Sequence, residues 1–222
     1  PEKVIWKEGD VQLREVGGEI LSFTCIDDDY HDWQNEHRKA ALFLCDRVIR
    51  ADVDTAPGKK MKIFSFGKDN NYKTSQVRAW LQKNSQNSSF CLEPIHTGIQ
   101  TAYMGSTAAG AFSQTSGREL VRHDIGFQLM NDQLFCLSLE EALAYREYLW
   151  RFDSGDDNPQ SQVSAYSQGY YLRTPFYLQD ENGKFIYNQQ IYGVDLVNGC
   201  LRPVRTDSET YGVRPAFALS QM

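Results

Sequence analysis

Apolar residues in this chain fall in short unbroken blocks rather than in long helical stripes. Residues 19–26 (Glu-Ile-Leu-Ser-Phe-Thr-Cys-Ile) are rich in β-branched and aromatic side chains, which suit a pleated, half-buried strand. Residues 40–49 form a second apolar block and are predicted to pair with the first as a hairpin, across residues 27–38 as a polar loop. Residues 52–62, with Pro57-Gly58, read as loop. Thr74 or Ser75 caps a helix that places Val77, Trp80 and Leu81 on one face. Ser138-Leu139-Glu140-Glu141 is a capping box. It predicts a second helix through Ala142, Leu143, Arg146, Leu149 and Trp150. Residues 105–131 begin Gly-, Ala-, Ser- and Thr-rich and read as an irregular excursion.

The last quarter is the most patterned. Tyr170-Tyr171-Leu172-Arg173-Thr174-Pro175 and Gly212-Val213-Arg214-Pro215-Ala216-Phe217-Ala218-Leu219 read as buried strands. Between them lie Asn182-Gly183 and Asn198-Gly199, each a hairpin signal because a type I′ turn needs positive φ at both central residues. Arg173 and Arg214 stand inside apolar runs. A buried guanidinium must find carboxylates or backbone carbonyls, so both are expected to be structural clamps.

Strands, two middle helices and a β-rich end make an α+β order. Both ends of the chain are β-like, which places the first and last strands in one sheet. The 222 residues fit one domain, with residues 1–18 peripheral to it.

Five motifs in order carry a resemblance. They are Ala40-Ala41-Leu42-Phe43-Leu44; Tyr72 with Ser75-x-x-Arg78-x-Trp80-Leu81; Leu134-Phe135-x-Leu137-Ser138-x-x-Glu141-Ala142; Tyr171-Leu172-Arg173-Thr174-Pro175; and Gly212-Val213-Arg214-Pro215-Ala216. The chain resembles a bacterial domain-of-unknown-function family common in gut Firmicutes and their phages, whose members end in Gly-Val-Arg-Pro-Ala. That family is similar to the C-type-lectin-like fold of formylglycine-generating enzymes, which also carries the variable proteins of diversity-generating retroelements. The resemblance implies two main helices packed on a mixed or antiparallel sheet, with C-terminal β-hairpins. It implies structural roles for Trp80, Arg78, Arg173, Arg214 and Pro215. It also implies a ligand surface on the hairpins.

Net charge is −6 with no Lys/Arg cluster, which argues against a nucleic-acid partner. No apolar run approaches the length of a membrane span, and residues 1–10 carry no signal-peptide pattern. The setting left open is cell-surface, secreted or phage-associated. The cysteines Cys25, Cys45, Cys91, Cys136 and Cys200 are far apart and odd in number. They read as small buried hydrophobes rather than a disulfide framework.

No catalytic motif stands out. There is no Gly-x-Ser-x-Gly, His-Glu-x-x-His or Cys-x-x-Cys. Residues 153–158 are oxygen-rich but lack an EF-hand spacing, so calcium is a weakly supported cofactor and no other is expected. His31 and His37, with Asp29 and Glu36, fit no zinc pattern well. The positive feature is the mixture of rings and adaptable polar groups in the hairpins, which suits recognition. Its members are Phe176, Tyr177, Gln179, Tyr187, Asn188, Gln190, Tyr192, Arg202, Arg205, Asp207 and Tyr211. The expected function is therefore a non-catalytic module binding a protein or glycan. The alternatives are an oxidase related to formylglycine-generating enzymes, a metal hydrolase using residues 27–37, and a structural module of a larger surface protein.

Overall fold

The computed structural model describes residues 5–32, 35–49, 53–56, 59–61, 65–85, 90–91, 95–96, 99–101, 120–122, 127–128, 131–152, 162–163, 167–176, 178–179, 181–182, 185–186 and 189–221. Gly17 and Gly18 form a two-residue turn with φ of 62° and 89°, the two positive values that a type I′ hairpin requires. The turn joins strand Val11–Val16 to strand Glu19–Asp32, in a register running from Val16↔Glu19 to Val11↔Thr24. Glu19–Asp32 then pairs antiparallel with Asn35–Cys45. Strand Ala216–Ser220 adds to the far side of Asn35–Cys45, with Ala216 opposite Leu44 and Ser220 opposite Ala40. The first and last of these strands thus lie in one four-stranded N-terminal sheet.

A second, C-terminal sheet has the order Cys200–Arg205, Gln190–Asp195, Gly169–Pro175, Tyr211–Gly212. Its first two pairings are antiparallel. The last, Gly169–Pro175 with Tyr211–Gly212, is parallel.

This architecture corrects the α+β expectation. The protein is mostly β, two curled four-stranded sheets, and the C-type-lectin-like arrangement of two main helices falls with that finding. Helix Gln76–Lys83 is present, capped by the Ser75 hydroxyl, which accepts from the Arg78 N–H at 3.0 Å. The second helix covers only Leu139–Ala144. Its capping box forms, but the chain then turns through a short 3₁₀ segment, Arg146–Tyr148. Tertiary contacts override the helical pattern here, because Leu149 and Phe152 are drawn into the core and Arg214 takes the nearby carbonyls.

Two other expectations also change. Residues 27–32 and 35–38 are strand rather than loop. Pairing continues through this polar stretch, with register shifts between Cys25 and Asp27, Asp27 and Tyr30, and His31 and Asp32, since backbone hydrogen bonds can sustain a ladder without apolar alternation. Residues 52–62 hold a short antiparallel pair, Val53–Ala56 with Lys59–Met61, and Pro57-Gly58 lies outside the described residues. Asn182 sits between the paired strands Leu178–Gln179 and Phe185–Ile186. Asn198-Gly199 belongs to a four-residue connection, with Asp195 and Cys200 as the closing pair. Asn198-Gly199 therefore does not make the two-residue turn expected of it, whereas Gly17-Gly18, which also reads as a turn in the sequence, does.

The unbroken apolar blocks have a clear cause. Ala41, Phe43 and Cys45 face one core, while Ala40, Leu42 and Leu44 face another. A strand covered on both faces needs no polar alternation. The same holds for Phe217 between Ala216 and Ala218, and for Tyr171 between Tyr170 and Leu172. In the first core Phe217 packs on Phe23 and Phe43, with ring centroids 4.9 and 5.1 Å away. Each such ring contributes about 2–3 kcal/mol through burial. Val77 and Leu81 seat their helix on this core, and Trp80 packs partly buried against it. Four cysteines, Cys25, Cys45, Cys136 and Cys200, are free and buried.

Candidate functional site

The sequence-selected arginines anchor the frame around the site. Arg173 is fully buried and donates through Nη1 to the Glu141 carboxylate and to the Cys136 carbonyl, the latter at 2.8 Å. The Tyr30 hydroxyl donates to the other Glu141 oxygen at 2.8 Å. Arg214 meets carbonyls: Nε donates to Cys45 at 2.6 Å, and Nη1 to Tyr148 and Leu149 at 2.9 and 3.1 Å. Its guanidinium also lies 4.3 Å from the Phe152 ring centre. Pro215, beside it, is buried. Arg78 grips the buried carboxylate of Asp132, with Nε 3.0 Å from each oxygen. That hydrogen bonding, more than charge alone, raises the Arg78 pKa.

On the sheet so anchored, a groove of about 520 Å³ opens along the Cys200–Arg205 edge. Its base depends on two glycines. A Cβ at Gly169 would stand 2.6 Å from Cε1 of Tyr211, and one at Gly193 would stand 3.3 Å from the same atom. The Tyr211 ring occupies the space that side chains there would fill. Tyr211 is only 6% exposed as a residue, its ring being covered while its hydroxyl, with no partner among the described residues, reaches the groove. Burial foremost, and then the nearby Asp195 carboxylate, push its pKa up, so it stays protonated.

Asp195 organises one wall. One oxygen accepts from the Val197 and Asn198 N–H groups, each at 2.9 Å. The other accepts from the Asn198 side-chain amide at 2.8 Å and from Arg202 Nη1 at 3.3 Å. This is an Asx turn, in which a short acid satisfies the backbone two and three residues on. On the other wall Arg205 grips Asp207 through Nε and Nη2, at 2.8 and 2.6 Å. Hydrogen bonding from Arg205 lowers the Asp207 pKa. Ser208, between that pair and Tyr211, accepts through its backbone carbonyl from the Tyr171 hydroxyl at 2.7 Å. Gln168 and Gln190 complete the polar lining.

The structure divides the residues selected from the sequence. Gln190, Arg202, Arg205, Asp207 and Tyr211 line the groove together. Phe176 and Tyr192 do not present rings to the surface. They are core residues packed edge to face, 5.5 Å between centroids. The reason is alternation: Tyr192 lies on the face of its strand that turns into the second core with Val194. Tyr177, Tyr187 and Asn188, and the side chain of Gln179, lie outside the described residues. Sequence reasoning missed Asp195, Gln168 and Ser208. The spacing Asp195-x-x-Asn198-Gly199 is an Asx-turn signature that would have exposed the first.

For the alternative chemistries, the thiols are informative. Burial pushes Cys25, Cys45 and Cys136 up to about 12, and Cys200 up to about 11. A thiolate, not a thiol, is the nucleophile. Among the described residues no three His, Cys, Asp or Glu side chains gather in a metal-binding group. The side chains of His31, Glu36 and His37, and residues 153–158, lie outside the described residues. No helix among the described residues is long and apolar enough to cross a membrane.

A family model described as "Domain of unknown function (DUF6273)" matches residues 42–221, which takes in the whole C-terminal sheet and both buried arginines. No curated protein and no solved structure matches the chain.

Proposed function

We propose that this chain, which belongs to the DUF6273 family of domains of unknown function, is a non-catalytic binding module whose ligand sits in the groove floored by Tyr211. The observation that carries the reading is a buried, protonated Tyr211 whose hydroxyl reaches an open polar groove without a partner among the described residues. A ligand atom would supply the missing partner. The groove volume lies in the range of small-molecule sites. The acids there are tied up in Asx-turn and ion-pair bonds, an arrangement that suits holding more than proton transfer. The thiols held above their ordinary range do not favour a thiol oxidase. A bacterial or phage surface is the setting this reading retains.

The test is a binding screen on arrayed glycans and bacterial surface fractions, run with calcium and again with EDTA. Val197→Trp would fill the groove from an exposed position, since Val197 is 49% exposed. The expected result is saturable binding that Val197→Trp abolishes while the far-ultraviolet spectrum is unchanged. Binding indifferent to both Val197→Trp and Arg202→Gln would refute the location.

A further inference from the structure

We infer that the groove selects a carboxylated saccharide, with Arg202 holding the carboxylate and the Tyr211 hydroxyl giving a second hydrogen bond; this rests on the binding reading above. The groove's uncommitted hydrogen-bonding capacity is mostly donors. Asp195 already accepts four hydrogen bonds, and Asp207 is gripped by two from Arg205. The arginines are less occupied. Arg202 reaches Asp195 through Nη1 alone, at a long 3.3 Å, and its side chain is 46% exposed. Its Nε and Nη2 have no partner among the described residues. Arg205 commits Nε and Nη2 and leaves Nη1 free of any described partner. Donors in excess over acceptors call for an acceptor-rich ligand. A planar guanidinium matches a carboxylate in particular, with two parallel N–H···O bonds.

The rest of the lining decides between a sugar and a peptide. The side-chain amides of Gln168 and Gln190 can both donate and accept, and Asn198 keeps its amide oxygen beyond its bond to Asp195, a mixture that suits a ring of hydroxyls. The apolar lining is limited to Val197, Pro203 and Val204 beside the Tyr211 ring in an open groove, little surface on which to seat the aromatic or aliphatic anchor that peptides commonly use. The edge strand Cys200–Arg205 is also a poor template for an added peptide strand. Pro203 lies within it and supplies no N–H, as is usual for proline at a sheet edge. An acidic saccharide therefore fits the groove better than an acidic peptide.

The experiment compares three probes on the full chain by titration calorimetry. The first is a panel of uronate- and sialate-terminated oligosaccharides. The second is the same oligosaccharides with each carboxylate reduced to the alcohol. The third is a set of short glutamate-rich peptides. The expected result is binding of at least one acidic sugar, weakened about tenfold or more by carboxyl reduction. Arg202→Gln is expected to weaken it about tenfold, and Tyr211→Phe several-fold, since the retained ring still fills the space above Gly169. Equal binding of acidic and reduced sugars overturns carboxylate selection and leaves the groove reading standing. So does preference for the peptides, or affinity for the acidic sugar that survives Arg202→Gln. No acidic sugar bound at all also overturns the inference. The broader reading then stands or falls separately, on whether Val197→Trp abolishes binding of another ligand.

Discussion

Glu141 and Arg173 form an ion pair in the protein interior, their side chains 4% and 0% exposed. The same carboxylate accepts from the Ser138 N–H at 2.8 Å and so completes the cap of helix Leu139–Ala144. A local helix-start signal is thereby tied to a strand residue 32 positions on. Removing one partner of a buried pair strands the other charge, which costs about 3–5 kcal/mol. Arg173→Met and Glu141→Ala are each expected to lose that much in urea unfolding. The double variant should lose less than the sum of the two, since the residues share one network. Additive losses would show that the two side chains act independently.

Arg214 shows a different solution to burial. Its guanidinium is held by the carbonyls of Cys45, Tyr148, Leu149 and Arg151 and by the Phe152 ring, with no carboxylate partner among the described residues. The carbonyls of Tyr148 and Leu149 end a short 3₁₀ turn, where a cation is favourable. Lysine keeps the charge but has one nitrogen for positions that the fork spans. Arg214→Lys is therefore expected to cost about 2–3 kcal/mol by urea unfolding. A cost near zero would mean that charge alone matters there.

The buried thiols give a pH dependence with a definite sign. An unfolded cysteine loses its proton near 9.0, whereas Cys45 and Cys136 in the fold hold theirs up to about 12. The folded state binds the proton more tightly, so this stabilisation is complete below pH 9. It is lost as pH rises from 9 toward 12. Urea midpoints should fall steadily over that window in a Cys91→Ser background. Ellman's reagent at pH 8 should label Cys25, Cys45, Cys136 and Cys200 only after unfolding. Rapid labelling of the native protein would contradict their burial.

Legibility from sequence followed the range of the interaction. Local signals could be read: the Ser75 cap, the Ser138–Glu141 capping box, and the apolar strand through Leu42-Phe43-Leu44 that pairs with the strand before it. The identities of long-range partners could not. Arg173 demanded carboxylates or backbone carbonyls, but nothing local names Glu141 or Cys136, and Arg78 gives no pointer to Asp132. The fold class was misjudged because the pattern after Glu141 is helical while the core pulls Leu149 and Phe152 out of helical spacing. The groove was half visible: its charged rim was selected, but Phe176 and Tyr192 were selected with it. Ring content alone does not say which sheet face a ring takes, and here both faces are covered.

The glycines beneath Tyr211 test the groove floor directly. A Cβ at Gly169 would meet the Val194 carbonyl oxygen at 2.0 Å as well as Tyr211 Cε1 at 2.6 Å. The first of these is backbone and cannot swing aside. A Cβ at Gly193 would meet Val204 Cγ2 at 3.0 Å and the Tyr170 carbonyl at 3.2 Å, contacts that shifts of a few tenths of an ångström relieve. Overpacking of a close-packed site costs about 1–3 kcal/mol, and more when backbone must move. Gly169→Ala is expected at or beyond the upper end, and Gly193→Ala near the lower, by urea unfolding. Gly193→Ala should also leave the fold intact while nudging Tyr211, so ligand affinity in the groove should drop more than stability does. If Gly193→Ala proves the costlier of the two, or if it leaves affinity untouched, the Tyr211 ring does not form the floor in the way described.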